Sequence, residues 1–392
     1  MLTGLVFLLI LSVLVLIHEA GHFFVAKKIG IKVEEFGFGL PLTKALFSVK
    51  KGETKYSFYP ALIGGFVKLY GEDEAGAGKV AISNKLSAIS KKNAHRAFYA
   101  RPALQRLSVI IAGVVMNGIL AIVIYFAFLG ISNFKTELPL LNDHKFFGVN
   151  QVNKQDIIIS NIAKDSPADN AGIAPFSKII SVNGQENFDS DFFVKYIKEQ
   201  EGKELTLELL EVQKGIKKTV KITPRIDPPE NEGALGVSFF PVRTAVLSYD
   251  TSAQKVFSGF THPANLMSYN FDIMGDLIKV SVKEKTTEPI SQGVSGPVGI
   301  FSVVGDVIAI PDARERLLQI LNLTGLLSIS LAFFNILPIP GLDGGRLFFI
   351  IIETVTRRRL NARFEATANA IGIAILIGLI ILVTFKDIAQ FF

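Results

Sequence analysis

The feature that most limits what this chain can become is an apolar run that opens at Leu2 and closes in His18-Glu19-Ala20-Gly21-His22. Leu5, Val6, Phe7, Leu8, Leu9, Ile10 and Leu11 carry it on to Ile17 without a charge. A stretch of that length reads as a membrane-spanning helix. On a helix the two histidines stand at i and i+4, one turn apart on one face, so both imidazoles can reach one cation. Glu19 lies beside them, placed to take a proton from water in metal-assisted hydrolysis. The same five-residue pattern arises by chance on helices of soluble chains. Inside a membrane-length apolar helix, ionisable side chains are costly and mark function.

Composition supports the membrane reading. Of 392 residues, 49% are hydrophobic and only 19% charged, and the mean hydropathy is +0.40. Large soluble proteins rarely reach such values. The net charge of +6 comes from basic residues clustered beside apolar runs, which fits membrane topology and excludes a nucleic-acid footprint. With no cysteine, disulfides and thiolate metal sites are ruled out, so any metal is held by nitrogen and oxygen. The first run lacks a basic leader and an Ala-x-Ala cleavage site, so it is expected to be retained, with its histidines.

Taken in order, the N-terminal membrane part covers residues 1–145. Its first span, about 2–26, ends at Lys27-Lys28, a cytoplasmic end under the positive-inside rule. His18 and His22 then lie roughly 8–14 Å in from that end, at 1.5 Å per residue. The basic stretch that follows includes Lys44, Lys50, Lys51, Lys55, Lys91, Lys92, Arg96 and Arg101. Within it, residues 55–59 and 64–70 read as a β-hairpin around Pro60 and Gly64-Gly65, with Phe66 and Val67 in its second strand. Such an edge at the membrane could pair with an unwound substrate, or be an ordinary surface hairpin. Residues 71–90 read as a mobile loop. A second span, about 104–131, carries Gly113-x-x-x-Asn117, for which helix packing is the expected role.

Residues 146–226 have the composition of a small mixed α/β domain. Strands are expected at 157–159, 178–184, 205–212 and 217–222, a helix start at 165–173, and a helix at 192–198; Pro224, Pro228 and Pro229 end it. Residues 227–316 read as an amphipathic linker, including 251–284 and a glycine cluster at 295–300. The C-terminal membrane part, 317–392, holds a third span, about 317–337, and a fourth, about 368–385.

Between these last two, Pro338 and Pro340 stop the helix and strand its carbonyls. Broken backbone at membrane depth is tolerated where it is buried in protein or lines a polar cavity. Asp343 sits in that break, either as a helix N-cap or as a third metal ligand. Arg346, Arg357, Arg358, Arg359 and Arg363 put the loop on the cytoplasmic side. Four crossings then bring His18, His22 and Asp343 to one depth, with a fourth position open, as in catalytic zinc sites. Glu34 and Glu35, close after the histidines, rank below Asp343. Asn335, one turn before the break, could bind the substrate backbone or join helices. A His₂Asp set accepts several divalent metals; zinc is the first expectation.

Three motifs, His18-Glu-x-x-His22, Gly113-x-x-x-Asn117 and Asn335-x-x-Pro338-x-Pro340-x-Leu342-Asp343-Gly344, stand in that order on the expected segments. Together they resemble the site-two protease family of intramembrane zinc metalloproteases, in particular the bacterial regulator of sigma-E protease group, over nearly the whole chain. The resemblance implies a polytopic α-helical membrane protein with about four transmembrane helices, a membrane-associated β-hairpin or sheet, and one inserted α+β PDZ domain at 146–226. By position, it implies one catalytic Zn²⁺ on His18, His22 and Asp343, Glu19 as the catalytic base, and substrate contacts from Asn335 and the 64–67 strand. It places the protein in a bacterial inner membrane, the PDZ domain outside the cytoplasm, and the active site in the bilayer towards the cytoplasm. Expected partners are lipid and single-span membrane proteins already trimmed outside the membrane, such as anti-sigma factors and remnant signal peptides. Phe176-Ser177 replaces the usual Gly-Asp of the PDZ landmark, and Val114 stands where proline often follows the glycine. The rival reading is a metal-transport or metal-sensing membrane protein; such a site has little use for Glu19.

Overall fold

The computed structural model describes residues 2–72, 95–186, 189–211, 216–358 and 362–389. The mobile-loop expectation for 71–90 thus falls almost wholly outside the described residues, as do Lys91, Lys92 and Arg359. The chain forms two compact units: one of Met1–Ser132 with Val256–Phe392, the other of Asn133–Lys255.

In the first unit, α1 (Leu2–Lys28), α2 (Ala103–Ile131), α8 (Ala313–Ile336) and the larger part of α10 (Ala362–Ala389) are long and apolar enough to cross a membrane. Hydrocarbon offers no partner to a backbone N–H or C=O, so helices that satisfy their own are the form such sequences take. The ends are set by local chemistry. Gly30, at φ +79°, ends α1 after its two lysines. Asp312 accepts from the Glu315 amide at 2.7 Å to start α8, and the approach to Pro338 stops it. Association of these helices relies on small residues and interhelical hydrogen bonds. A Cβ on Gly21 would lie 2.3 Å from the Ala112 carbonyl oxygen, and one on Gly325 2.7 Å from the Tyr125 ring. Ser328 of α8 donates to the Asn117 carbonyl at 2.8 Å.

Between α1 and α2 lies a four-stranded sheet of β1 (Val33–Leu40), β2 (Phe47–Lys51), β3 (Thr54–Phe58) and β4 (Ala61–Leu69), in the order β2-β3-β1-β4. This corrects the hairpin expected over 55–70. The two segments are strands, but β1 lies between them, parallel to β3 and antiparallel to β4. The cause lies in side-chain fit: Gly37 of β1 leaves a gap that the Phe66 ring fills, where a Cβ would come within 2.3 Å of it. Val33 and Leu69 join Phe23 and Ala26 of α1 and Val109 of α2 in an apolar cluster beneath the sheet, its valine, leucine and phenylalanine side chains each contributing roughly 1.5–3 kcal/mol. That cluster fixes the sheet on the two helices.

The second unit is an antiparallel six-stranded sheet in the order β5-β10-β6-β7-β8-β9. Its strands are β5 (Lys135–Leu140), β6 (Asn150–Ile162), β7 (Ser177–Val182), β8 (Leu205–Glu211), β9 (Ile216–Ile222) and β10 (Val237–Ser248). With α3 (Pro167–Asn170) and α4 (Ser190–Glu199) they enclose Ile157, Ile179, Phe193, Leu205 and Leu207. Ser166 caps α3, Asp189 caps α4, and Asn183-Gly184, both at positive φ, close β7 as the turn signal predicts. The unit is wider than the expected 146–226, because β10 pairs along the full length of β6 and carries β5 on its other edge. Residues 237–248 are therefore sheet and not linker. Most of the remaining expected linker, from Ser252 on, is helical, in α5 (Ser252–Glu284), α6 (Glu288–Gln292) and α7 (Pro297–Ala309), while 227–236 is turn and loop. A Cβ on Gly259 of α5 would lie 2.6 Å from the Ile122 carbonyl oxygen of α2, so that amphipathic helix lies directly on a spanning one.

Candidate metal centre

The centre begins where α1 and α2 touch. Gly21 and Gly113 remove the side chains that would hold the helices apart; a Cβ on Gly113 would sit 2.5 Å from His22 Nε2 and 2.7 Å from His18 Cε1. The glycine of the second motif therefore makes room for the imidazoles, beyond general packing. His22 Nδ1 donates to the Val109 carbonyl at 2.8 Å. A carbonyl only accepts, so the ring proton is on Nδ1 and the Nε2 lone pair is aimed inward.

The third arm comes from the break after α8. Gly341 takes φ +95°, and its amide donates to Asn369 Oδ1 of α10 at 3.2 Å. Pro338 and Pro340 lie in this turn. A Cβ on Gly372 of α10 would come within 1.9 Å of the Pro340 carbonyl oxygen, and one on Gly344 within 1.9 Å of that of Leu337. Glycine contacts thus fold the turn tightly and begin α9 (Asp343–Thr356). Leu342 occupies the N-cap and makes no side-chain cap bond, so Asp343 is not the cap. Its Oδ2 lies 2.9 Å from His18 Nε2 and 3.2 Å from His22 Nε2, and the two nitrogens are 3.2 Å apart.

These three donors, whose ligand atoms all lie within 4.8 Å of one another, could hold a metal ion. The spacing suits zinc: ligands about 2.0–2.1 Å from the ion at tetrahedral angles lie roughly 3.3 Å apart. The donor set is nitrogen and oxygen, and the missing Gly113 side chain keeps the space beside both imidazoles clear.

Glu19 and β4 complete the site. An ideal Cβ on Gly65 would be 3.5 Å from Glu19 Cγ and 3.5 Å from Val15 Cγ1, so β4 runs directly over the glutamate. Among the described residues its one strand neighbour is β1, and its outer edge has no strand partner. Gly64, at φ +97°, shapes that edge. The side chains of Phe66 and Val67 face away from an open edge: Phe66 packs over Gly37 and 5.8 Å from the Tyr59 ring, and Val67 packs on the cluster beneath the sheet. Asn335 is half-buried in the last turn of α8 and makes no side-chain hydrogen bond among the described residues. Glu34 pairs with Lys68 at 3.4 Å. Glu35 accepts from Ser57, from Tyr59 at 2.9 Å and from Lys55 at 3.3 Å.

Sequence reasoning passed over two supports. Arg346, one turn after Asp343, donates to Glu72 at 2.5 Å and so ties α9 to the turn that follows β4. Asn369 and Gly372, a polar and a small residue within an apolar helix, hold the turn; their composition was the available signal.

Two histidines, a carboxylate and an adjacent glutamate, set among membrane-length helices, define a membrane metallohydrolase. The chain belongs to peptidase family M50, whose pattern matches residues 6–379. It is similar to a Clostridium perfringens protein named as a zinc metalloprotease, at 30% identity over 97% of each chain. It is 28% identical to the zinc metalloprotease RasP of Bacillus licheniformis and 27% to the regulator of sigma-W protease RasP of Bacillus subtilis, over 100% of this chain and 99% of theirs. The protein is a multi-pass membrane zinc metalloprotease.

Proposed function

We propose that the protein cuts single-span membrane proteins within the bilayer, using one zinc ion on His18, His22 and Asp343. The observation that carries this is the meeting of Asp343 with both histidines, beside a strand edge that has no strand partner among the described residues. When bound, zinc acts as a Lewis acid and brings the pKa of water down to about 7. Val109 holds the His22 ring in place through Nδ1. Glu19 takes the proton of the attacking water on its carboxylate and passes it to the leaving amide nitrogen.

A peptide bond in a membrane helix has its carbonyl already hydrogen-bonded, so the substrate must be unwound before attack. The outer edge of β4 at Gly64, Gly65, Phe66 and Val67 offers backbone N–H and C=O groups to an extended segment, which leads the scissile bond over Glu19. The role proposed for Phe66 and Val67 is accordingly one of backbone, not side chain. Asn335 supplies a side-chain amide to the substrate backbone or to the developing oxyanion.

The second unit is inferred to be the PDZ domain of the family resemblance, supported by its antiparallel sheet, two helices and Asn183-Gly184 turn. It would lie outside the cytoplasm of a bacterial inner membrane and favour substrates whose outer part has been trimmed. The Bacillus subtilis relative carries the name of a regulator of sigma-W; by analogy, anti-sigma factors and remnant signal peptides are the substrates to test first.

The test is cleavage of a model single-span protein in liposomes by wild type and Glu19→Gln, with zinc measured in both. Glu19→Gln is expected to keep its zinc and to lose about 10²- to 10⁴-fold in rate. Equal rates would remove Glu19 from the reaction. If both variants hold zinc and neither cuts any of a panel of trimmed substrates, the metal-transport or sensing reading takes over.

A further inference from the structure

We infer that Asn117 is a positioning residue for the metal centre, selecting the His18 tautomer that leaves Nε2 free to act as a ligand. The inference rests on the zinc reading above and goes beyond its ligand set. Both imidazoles converge through Nε2. A histidine that offers Nε2 to a cation carries its proton on Nδ1, and that proton needs a buried acceptor. For His22 the acceptor is the Val109 carbonyl. For His18 the group in place is the side chain of Asn117, whose amide nitrogen lies 3.4 Å from His18 Nδ1.

Asn117 is 1% exposed, and its Oδ1 is buried with no hydrogen-bond partner among the described residues. A half-turn of the amide exchanges the two ends. With Nδ2 towards the ring, Nδ1 accepts, and the ring proton sits on Nε2, where Asp343 takes it at 2.9 Å. With Oδ1 towards the ring, Nδ1–H donates to it, the orphaned oxygen is satisfied, and the Nε2 lone pair points at the space shared with His22 and Asp343. An asparagine can serve both arrangements; a hydrocarbon side chain serves neither.

This also explains the four-residue spacing of the second motif. Gly113 and Asn117 lie one turn apart on the face of α2 that meets α1. The first lets the helix approach the rings, and the second reaches His18. The backbone carbonyl of Asn117 separately accepts from Ser328, so the helix–helix contact can be cut without touching His18.

The experiment measures zinc affinity of purified full-length protein by competition with a chromophoric chelator. It compares wild type, Asn117→Leu, Asn117→Asp, Ser328→Ala and His18→Ala, and records thermal unfolding of each after chelation. Asn117→Leu should bind zinc about 10- to 100-fold more weakly, the range for loss of a group that orients a metal ligand. Asn117→Asp restores an acceptor for Nδ1–H and should stay within about threefold of wild type, and Ser328→Ala should match wild type. Wild-type affinity in Asn117→Leu, or a loss in Asn117→Asp as large as in Asn117→Leu, would overturn the assignment and leave Asn117 as helix packing. If Asn117→Leu does not fold, the Asn117→Asp and Ser328→Ala pair decides: a loss confined to Asn117→Asp refutes the tautomer role. Failure of wild type to bind zinc more tightly than His18→Ala would refute the metal centre itself, a separate outcome.

Discussion

Asp343 and Asp387 are both enclosed carboxylates carried by helices of the C-terminal membrane part, and they are answered in different ways. Asp387, near the end of α10, accepts from the backbone amides of Gly296 at 2.9 Å and Gly299 at 2.7 Å, at the start of α7. Lys386 stands 3.5 Å from its other oxygen. Its charge is met by backbone N–H groups at a helix N-terminus, where an anion is favoured. Asp343 also sits at a helix N-terminus, in the first turn of α9, yet its Oδ2 faces two imidazole nitrogens brought together from a helix more than 300 residues earlier. Imidazoles placed this way could hold a metal ion together with the carboxylate. A carboxylate whose partners are amides of the fold is a fastening; one whose partners are two converging imidazoles is the place where we propose a metal is held.

The largest effect that would sharpen this contrast comes from paired glycines. Gly113→Ala puts a methyl 2.5 Å from His22 Nε2 and should weaken zinc binding by on the order of 10- to 100-fold, as displacement of a ligand does. Gly296→Ala puts one 2.9 Å from Asp387 Oδ2 and should cost about 1–3 kcal/mol of stability by overpacking, with zinc affinity unchanged. Chelator competition and thermal unfolding on both variants check the pair. Zinc loss in Gly296→Ala would break the distinction.

A smaller effect concerns Glu35, a third enclosed carboxylate, which lies in the sheet outside the spanning helices. Burial alone would raise its pKa, but hydrogen bonds from Ser57, Tyr59 and Lys55 outweigh it and hold the pKa below the ordinary 4.5. A carboxylate depressed in the folded state adds stability that is fully present above its unfolded pKa and lost as pH falls through the folded value. The stability difference between wild type and Glu35→Gln should therefore be constant above about pH 5 and shrink below pH 4.5. Thermal unfolding across pH 3–7 reads this; a difference that grows on acidification would contradict it.

Much of this was legible in the sequence, and for a physical reason. His18 and His22 obey helical spacing, a local rule, and the apolar segments announce their own helices. Asp343 could be picked out because Pro338 and Pro340 mark broken backbone at membrane depth. What escaped was non-local. The strand β1 carries Gly37 and Gly39 and two adjacent glutamates, a weak strand pattern. Only the fit of the Phe66 ring over Gly37 shows that it separates the two segments read as a hairpin. The strand β10 holds Pro241, which argues against a strand, and its long pairing with β6 overrides that preference. Gly113 and Asn117 were visible as a motif, but their closeness to the imidazoles depends on where two helices cross.

The most direct test of the central claim, that Asp343 closes the metal centre while Asp387 only fastens the fold, is the zinc content of Asp343→Ala and Asp387→Ala beside wild type, measured by elemental analysis of purified protein after dialysis against a weak chelator. Asp387→Ala should retain zinc as wild type does and lose about 1–3 kcal/mol of stability, from two amides left without an acceptor. Asp343→Ala should keep its fold and lose its tightly bound zinc. Zinc retained by Asp343→Ala at the wild-type level would contradict the account.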